Sequence, residues 1–480
     1  MTNSFHIPQR KAEALRSMHR RALLPIVHWR TRPMSSRKEI VLGVNVLASG
    51  RHDAAWKTLP DPRTLSTDID RFIEIARVAE RGKLDALFLA DNVGALGSAY
   101  PWDEPFQRPW RALDPIVLHS ALSQATRHIG LVSTTTSLFG HPYTVARQIA
   151  SINHVSKGRA AWNITTSQAP AVLRTFGLEQ GFEQEERYRR ASEFTEIVTR
   201  LWDSLPAEAV VADAANHVFV DRNRLRPIDY KGEHFSSSGV LQTPTGAQRP
   251  VIFQAGQSAE SKAFGARYAD ALFTGQRTLE SGRAFYTDAK ALARSFGRDV
   301  SQFLVVPGLF PILGGTEAEA KRRKKDLDEQ LDTRYLLEVL ASQFELQPAD
   351  FELDKPLPYD KIEAAAARVP LAARWHRQIV IDEAKAQGFT TRNVLYSNLT
   401  GGHRTVVGTP EQVADDILEW VDNGAADGFN LNIDVQTSGL EAVADHLVPE
   451  LQKRGRFRRE YTGTTLREHL GLKPWVPPGR

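Results

Sequence analysis

The chain has 480 residues, of which 41% are apolar, 25% charged and none cysteine. That balance excludes a disordered, collagen-like or coiled-coil chain. The missing cysteines exclude disulfides, thiolate nucleophiles and Cys-ligated zinc or iron–sulfur centres. The net charge of +4 is uneven: residues 1–39 hold nine Lys/Arg against two Asp/Glu, so this segment carries +7 and the remainder −3. The basic character belongs to a tail, and no nucleic-acid-binding surface is expected on the body. No apolar run approaches the ~18–20 residues of a bilayer span, and a cytoplasmic setting fits. Residues 1–36 lack the apolar core of a secretory signal and read as a basic, disordered or surface-draped extension.

Regular patterning begins at Arg37. Ile40–Leu47 is a short apolar run with a buried-strand signature. Asp68–Arg81 follows with Ile69, Phe72, Ile73, Ala76 and Ala79 at helical spacing. Leu84–Ala90, Ile129–Ser133 and Arg159–Ile164 read as the next strands, separated by helices over Arg111–Thr126 and Thr144–Val155. The alternation resumes with strands at Val251–Ala255, Ala271–Thr274, Phe303–Leu309 and Phe429–Ile433. The intervening and final helices are predicted over Ala259–Arg267, Leu279–Phe296, Thr316–Leu331, Pro410–Asn423 and Leu440–Lys453. Eight strands, each followed by a helix, is the count of an α/β (β/α)8 TIM barrel, with a doubly wound open sheet as the alternative. The barrel is expected over residues 37–472, with a short tail at 473–480. Two insertions interrupt it. Residues 165–250 show one clear helix, Glu185–Trp202, and then a polar stretch; residues 332–408 are charged, Pro-rich and partly helical. Insertions this long tend to be lids or binding loops. No internal repeat is evident.

Barrel chemistry sits where the strands end. The first five predicted ends carry Ser49, Arg51 and His52; Asp91 and Asn92; Thr134 to Ser137; Asn163 to Ser167; and Gln254 to Ser258. Asp91 is the only carboxylate among them, which argues against a two-carboxylate glycosidase. No HExxH, GxSxG, Walker or GxGxxG pattern occurs, so metal hydrolysis, serine hydrolysis and Rossmann-type dinucleotide binding are not expected. Neutral hydrogen-bonding residues around one Asp suit an uncharged heteroaromatic ring. Gly256-Gln257-Ser258, between a strand and a helix, suits a phosphate on unpaired N–H groups. It equally suits ordinary helix capping.

Five stretches carry a family resemblance: Ala79–Asn92 (AERGKLDALFLADN), Ser133–Ser167, containing HPYTVAR and GRAAWNITTS, Pro250–Ser258 (PVIFQAGQS), Gly408–Leu431, and Val448–Leu472 with TLREHLGL. Over roughly residues 38–472 the chain resembles the nitrilotriacetate and dibenzothiophene-sulfone monooxygenases. These are FMN-dependent two-component enzymes of the bacterial-luciferase-like superfamily. The resemblance implies FMN, in its reduced form FMNH2, as cofactor, and an NAD(P)H:FMN reductase as partner. It also implies O2 and a small organic molecule as co-substrates, a flavin peroxide that oxygenates a C–S, C–N or C–H bond, and a homodimer or homotetramer. Asp91, Thr134, Tyr188 and Ser258 match FMN-binding positions of the family. Gln184 stands where the family has His, and Gly256 and Gln257 belong to the phosphate loop. Ser261 replaces a usual Gly of that loop. His52, Asn92 and His141 are the candidate catalytic contacts, and no metal is expected. Trp56, Phe88, Trp102, Phe106 and Phe139 are candidates to line a dry pocket. A flavin or deazaflavin dehydrogenase on the same barrel, and a non-catalytic flavin-binding protein, are the alternatives.

Overall fold

A computed structural model describes residues 39–91, 107, 109–110, 112–166, 170–244, 246, 248–366, 371–398 and 402–476. Eight parallel strands close on themselves: β1 (Val41–Asn45), β2 (Ala86–Leu89), β3 (Gly130–Thr136), β4 (Ala160–Thr165), β5 (Val251–Ala255), β6 (Ala271–Thr274), β7 (Leu304–Leu313) and β8 (Gly428–Asn432). Each strand pairs with its chain-order neighbour, and β8 returns to β1 with Val41 opposite Gly428 and Asn45 opposite Asn432. This is the expected (β/α)8 barrel and excludes the open sheet. The helices α1 (Ile69–Arg81), α2 (Pro115–Ala125), α3 (Pro142–Val155), α4 (Gln184–Trp202), α5 (Ala259–Tyr268), α6 (Leu279–Ser295), α7 (Glu317–Asp328) and α8 (Pro410–Asp422) flank it. The last helical run, Ser438–Lys453, contains a π segment over Val443–Leu447.

Alternation along the strands sorts two cores. Leu42, Val44, Leu87, Leu131 and Leu431 face outward and pack with α1, α2 and α8. Val41, Ala86, Phe88, Val132, Ala161, Phe253, Leu304 and Val306 face inward. Leu466, Leu470 and Leu472 join this inner cluster, so the C-terminal TLREHLGL stretch plugs the lower end of the barrel. A Cβ on Gly130 would lie 2.4 Å from Leu466 Cδ1, which is why the strand there has none. The C-terminal segment is docked as far as Trp475, whose indole N–H donates to Asp203 at 3.0 Å.

One device recurs beneath the strands. Asp85, just before β2, accepts the Leu42 N–H (2.7 Å) and pairs with Arg458. Asp270, before β6, accepts the Ile252 N–H (2.9 Å) and pairs with Arg467. Asp427, before β8, accepts the Val305 N–H (2.9 Å) and pairs with Lys290. The fragments LDALFL, ADALFT and ADGFNL carry it, a repeat too short to be seen before the register is known.

The insertions differ from their expected texture. After α4, the stretch read as polar and irregular forms two antiparallel hairpins, Val210–Asp213 with Val218–Val220 and Ile228–Lys231 with Ser236–Gly239. The second insertion holds helices over Thr333–Gln343, Tyr359–Ala365, Leu371–Gln387 and Thr391–Asn398, packed around Leu340, Phe344, Phe351, Ile362, Val380 and Leu395. It ends in a strand, Arg404–Gly408, which the sequence reading missed. That strand pairs with the upper half of β7, which extends past the predicted end at Leu309. No described helix is long and apolar enough to cross a membrane.

His119 of α2 is buried and its Nδ1 lies 2.8 Å from Ser133 Oγ on β3. Burial, and then the charge of Arg159, push its pKa from 6.5 down to about 3. The unfolded chain therefore takes up a proton below 6.5 that the folded chain refuses, and stability falls as pH drops through that window. Between about pH 7.5 and about pH 5.5 this one group costs on the order of 1 kcal/mol. His119→Gln is expected to lose that much less stability than the wild type over the interval, read from urea midpoints. Equal losses would refute the assignment.

Candidate active site

The upper ends of the strands replace apolar residues with amides and hydroxyls. Asn45, Thr134, Asn163, Asn430 and Asn432 are all buried. Each stands in register with inward-facing neighbours, so all five line the interior of the barrel mouth. Asn45 Nδ2 donates to Asn432 Oδ1 (2.9 Å), and Asn163 Nδ2 donates to Thr134 Oγ1 (3.0 Å). The Oδ1 atoms of Asn45 and Asn163, the Nδ2 of Asn432 and both amide atoms of Asn430 are buried without a hydrogen-bond partner among the described residues. Leaving such groups unmade costs about 1–3 kcal/mol each. A ligand ring carrying both donors and acceptors would satisfy them. Asp91 lies just past the end of β2 and is half-buried.

The β5–α5 turn forms a second part of the site. Gly256 has φ +157°, and a Cβ there would lie 1.8 Å from Ser261 Oγ. Ser261 itself is buried, and Gln254 Nε2 donates to its hydroxyl at 2.7 Å. The Ser found in place of a loop Gly is thus accommodated under Gly256. Ser258 caps α5 by accepting the Ser261 N–H at 3.1 Å. Gln184, at the start of α4, donates its amide to Glu260 in the first turn of α5. The Glu260 carboxylate is held below its ordinary pKa by its own backbone N–H, then by Ser258, Gln184 and the charge of Arg187. These donors therefore already hold one anion. Tyr188 lies one turn along α4, with its ring against Phe264 (5.8 Å) and beneath Arg187 (5.2 Å). The residues assigned by resemblance to FMN, Gln184, Tyr188, Gly256 and Ser258, come from separate segments, and the fold brings α4 and α5 together here. Gln257 points to the next turn, its Nε2 2.8 Å from where a Cβ on Gly275 would stand.

The catalytic candidates divide. His52 is buried, its Nδ1 accepts the Ala54 N–H (3.2 Å), and its Nε2 therefore carries the proton and faces Asp328 Oδ1 at 3.1 Å. Both nitrogens are engaged, and His52 ties the β1 loop to the end of α7. Gly50 makes this path possible: with φ +121° it lies so close to β8 that a Cβ would be 2.2 Å from the Asp434 carbonyl oxygen. His141 is exposed and caps α3 by accepting the Tyr143 N–H at 3.2 Å. Asn92, Trp102 and Phe106 lie outside the described residues. Phe88 packs edge-on to Phe253 in the barrel core, and Phe139 stacks on Phe176 at 4.4 Å. Trp56 donates its indole N–H to the Gln107 carbonyl at 2.8 Å.

Several mouth residues were missed. His403, at the end of the second insertion, packs on Phe273 (5.2 Å) and covers Gly308. Burial, then the charges of Arg51 and Arg277, push its pKa down to about 3, so it is a neutral imidazole. Asn430 and Asn432 had a visible signal: amides at alternate positions of an otherwise apolar strand. Among the described residues, Glu186, Glu233 and His234 have metal-ligand spacing. Arg190 Nη1 donates to His234 Nδ1 (3.3 Å), however, so Nε2 bears the proton and faces Glu186 at 3.3 Å and Glu233 at 3.8 Å in place of a cation.

Comparison with known proteins adds to this geometry. Residues 44–427 match the family described as luciferase-like monooxygenase. The chain is 40% identical over 445 residues to N-acetyl-S-(2-succino)cysteine monooxygenase of Bacillus subtilis (strain 168), covering 92% of this chain and 98% of that protein. It is 38% identical over 449 residues to nitrilotriacetate monooxygenase component A of Aminobacter aminovorans, covering 92% and 98%. The solved structure of EDTA monooxygenase from Chelativorans sp. BNC1 superposes with a TM-score of 0.74 at 32% identity, covering 91% of this chain and 99% of that one.

Proposed function

The chain belongs to the luciferase-like monooxygenase family and is a flavin-dependent monooxygenase, and from that premise we propose that it uses reduced FMN from a separate NAD(P)H:FMN reductase. The observation that carries this reading is the ring of unpartnered buried amides at the barrel mouth beside a ready anion seat. The first matches the flavin ring in its mix of donors and acceptors, and the second matches its phosphate. When bound, reduced FMN supplies two electrons and activates O2, so that one oxygen atom enters the substrate and the other leaves as water.

The residues take the following parts. Thr134 and Asn163 on one side, and Asn45 and Asn432 on the other, would hold the flavin ring, with Asp91 past the end of β2 as a further contact. Ser258, Gln184, Tyr188 and the Gly256–Ser258 backbone would hold the phosphate, in place of Glu260. His403, held as a neutral imidazole at the mouth, would offer a hydrogen-bonding group there without adding charge. His52 and His141 position the loops that frame the site. Trp56, Phe139 and the second insertion exclude water, which otherwise diverts activated oxygen to H2O2. Substrates of the kind named for the relatives, N-acetyl-S-(2-succino)cysteine and nitrilotriacetate, are the first to try.

Two outcomes follow. Ser258→Ala removes a charge-assisted hydrogen bond and should weaken FMN binding roughly tenfold to a hundredfold, with riboflavin little changed. Glu260→Gln should tighten FMN by removing a competing charge. Equal losses for FMN and riboflavin in Ser258→Ala would move the phosphate elsewhere. For turnover, NADH with the chain alone should be silent. Addition of an unrelated FMN reductase under 18O2 should place one labelled atom in the product. NADH oxidation by the chain unaided, or substrate oxidation without O2, would overturn the proposal.

A further inference from the structure

Arg277 follows β6 by three residues and stands at the rim of the barrel mouth. Its side chain is only 7% exposed. Its Nη1 pairs with Glu383, which comes from helix Leu371–Gln387 of the second insertion. Its Nε and Nη2 are buried with no hydrogen-bond partner among the described residues. Burial lowers its pKa to about 10, so it remains a cation at neutral pH. Its charge reaches His403, as does that of Arg51. Gly275, two residues earlier, adjoins the Gln257 side chain and the Gly402 carbonyl. The turn that carries Arg277 therefore lies beside the β5–α5 turn at Gln257 and the end of the second insertion at Gly402 and His403.

A guanidinium is a planar fork that binds the two oxygens of a carboxylate through parallel N–H bonds. Here the fork is half used. The two partners are also unequal: Glu383 is 28% exposed and can turn to water, whereas Arg277 is enclosed. A cation so enclosed needs an anion, and leaving it unpaired is strongly unfavourable. We propose that Arg277 anchors a carboxylate of the substrate on its Nε/Nη2 edge, and that Glu383, on Nη1, competes with it for the same cation. The substrate class is then a small organic anion with at least one carboxylate, and Glu383, on another nitrogen of the same guanidinium, sets how much of its charge the substrate meets. An uncharged substrate leaves the Nε edge unfilled. The inference rests on the barrel mouth being the oxygenation site proposed above.

Calorimetric titration of the full chain loaded with FMN tests it. Nitrilotriacetate and N-acetyl-S-(2-succino)cysteine serve as carboxylate probes, and dimethyl sulfide and dibenzothiophene sulfone as uncharged ones. At least one carboxylate probe should bind the wild type in preference to the uncharged pair. Glu383→Ala should bind that probe about tenfold more tightly. Arg277→Met should lose it about a hundredfold while FMN affinity holds, and Arg277→Lys should restore part of the loss. Where Arg277→Met folds poorly, the Glu383→Ala result decides. The inference is overturned if neither carboxylate probe binds the wild type or Glu383→Ala while FMN binds normally. It is also overturned if the uncharged probes bind better, or if Glu383→Ala weakens the carboxylate. Failure of the wild type to bind FMN at all would instead count against the function proposed above.

Discussion

Three carboxylates under the barrel, Asp85, Asp270 and Asp427, each accept an N–H from the neighbouring strand and neutralise a largely buried cation. They set the relative heights of β1 with β2, β5 with β6, and β7 with β8. That registration decides everything above it, because a slip of one residue turns every inward side chain outward. With the strands so aligned, Gly43 and Asn430 share one level and Asn45 and Asn432 the next. The lower levels are apolar and sealed by Leu466, Leu470 and Leu472; the upper level is polar.

The polarity of the mouth works against folding and for binding. Apolar residues at Asn163 or Asn430 would pack a better core, and the unpartnered amide atoms there are a standing cost. Proteins break such packing rules chiefly at functional sites. The stable base therefore supports a top that is unsatisfied until a ligand arrives. The same logic holds at the rim, where the anion seat borrows Glu260 and the guanidinium of Arg277 borrows Glu383. Both acids belong to this chain and neither is fully buried.

The barrel was legible in the sequence because each strand is a short apolar run between a helix end and a turn, and each helix carries a clear stripe. Boundaries at β5 and β6 agree to the residue, since Pro250 and Gly256 bracket one and Asp270 and Gly275 the other. The hairpins after α4 were missed because their strands are only three or four residues long, too short to show a period, and one of them, SSSG at 236–239, has no apolar residue. The strand Arg404–Gly408 was missed because its pairing depends on β7 being longer than its apolar run suggested. At the site, Thr134 and the β5–α5 turn could be read from local pattern. His52 could not be judged, because its partner Asp328 lies 276 residues away. Arg277, Glu383 and His403 were invisible for the same reason: they meet only through the fold of the second insertion.

The account turns on the amide ring being the seat of the flavin. An anaerobic titration with photoreduced FMN, comparing the wild type with Asn163→Ala, tests that most directly. The wild type should bind one reduced FMN per chain, more tightly than oxidised FMN, and Asn163→Ala should bind it at least about tenfold more weakly, as expected for a lost hydrogen bond of about 1.4 kcal/mol or more. Binding by Asn163→Ala indistinguishable from wild type would contradict the account.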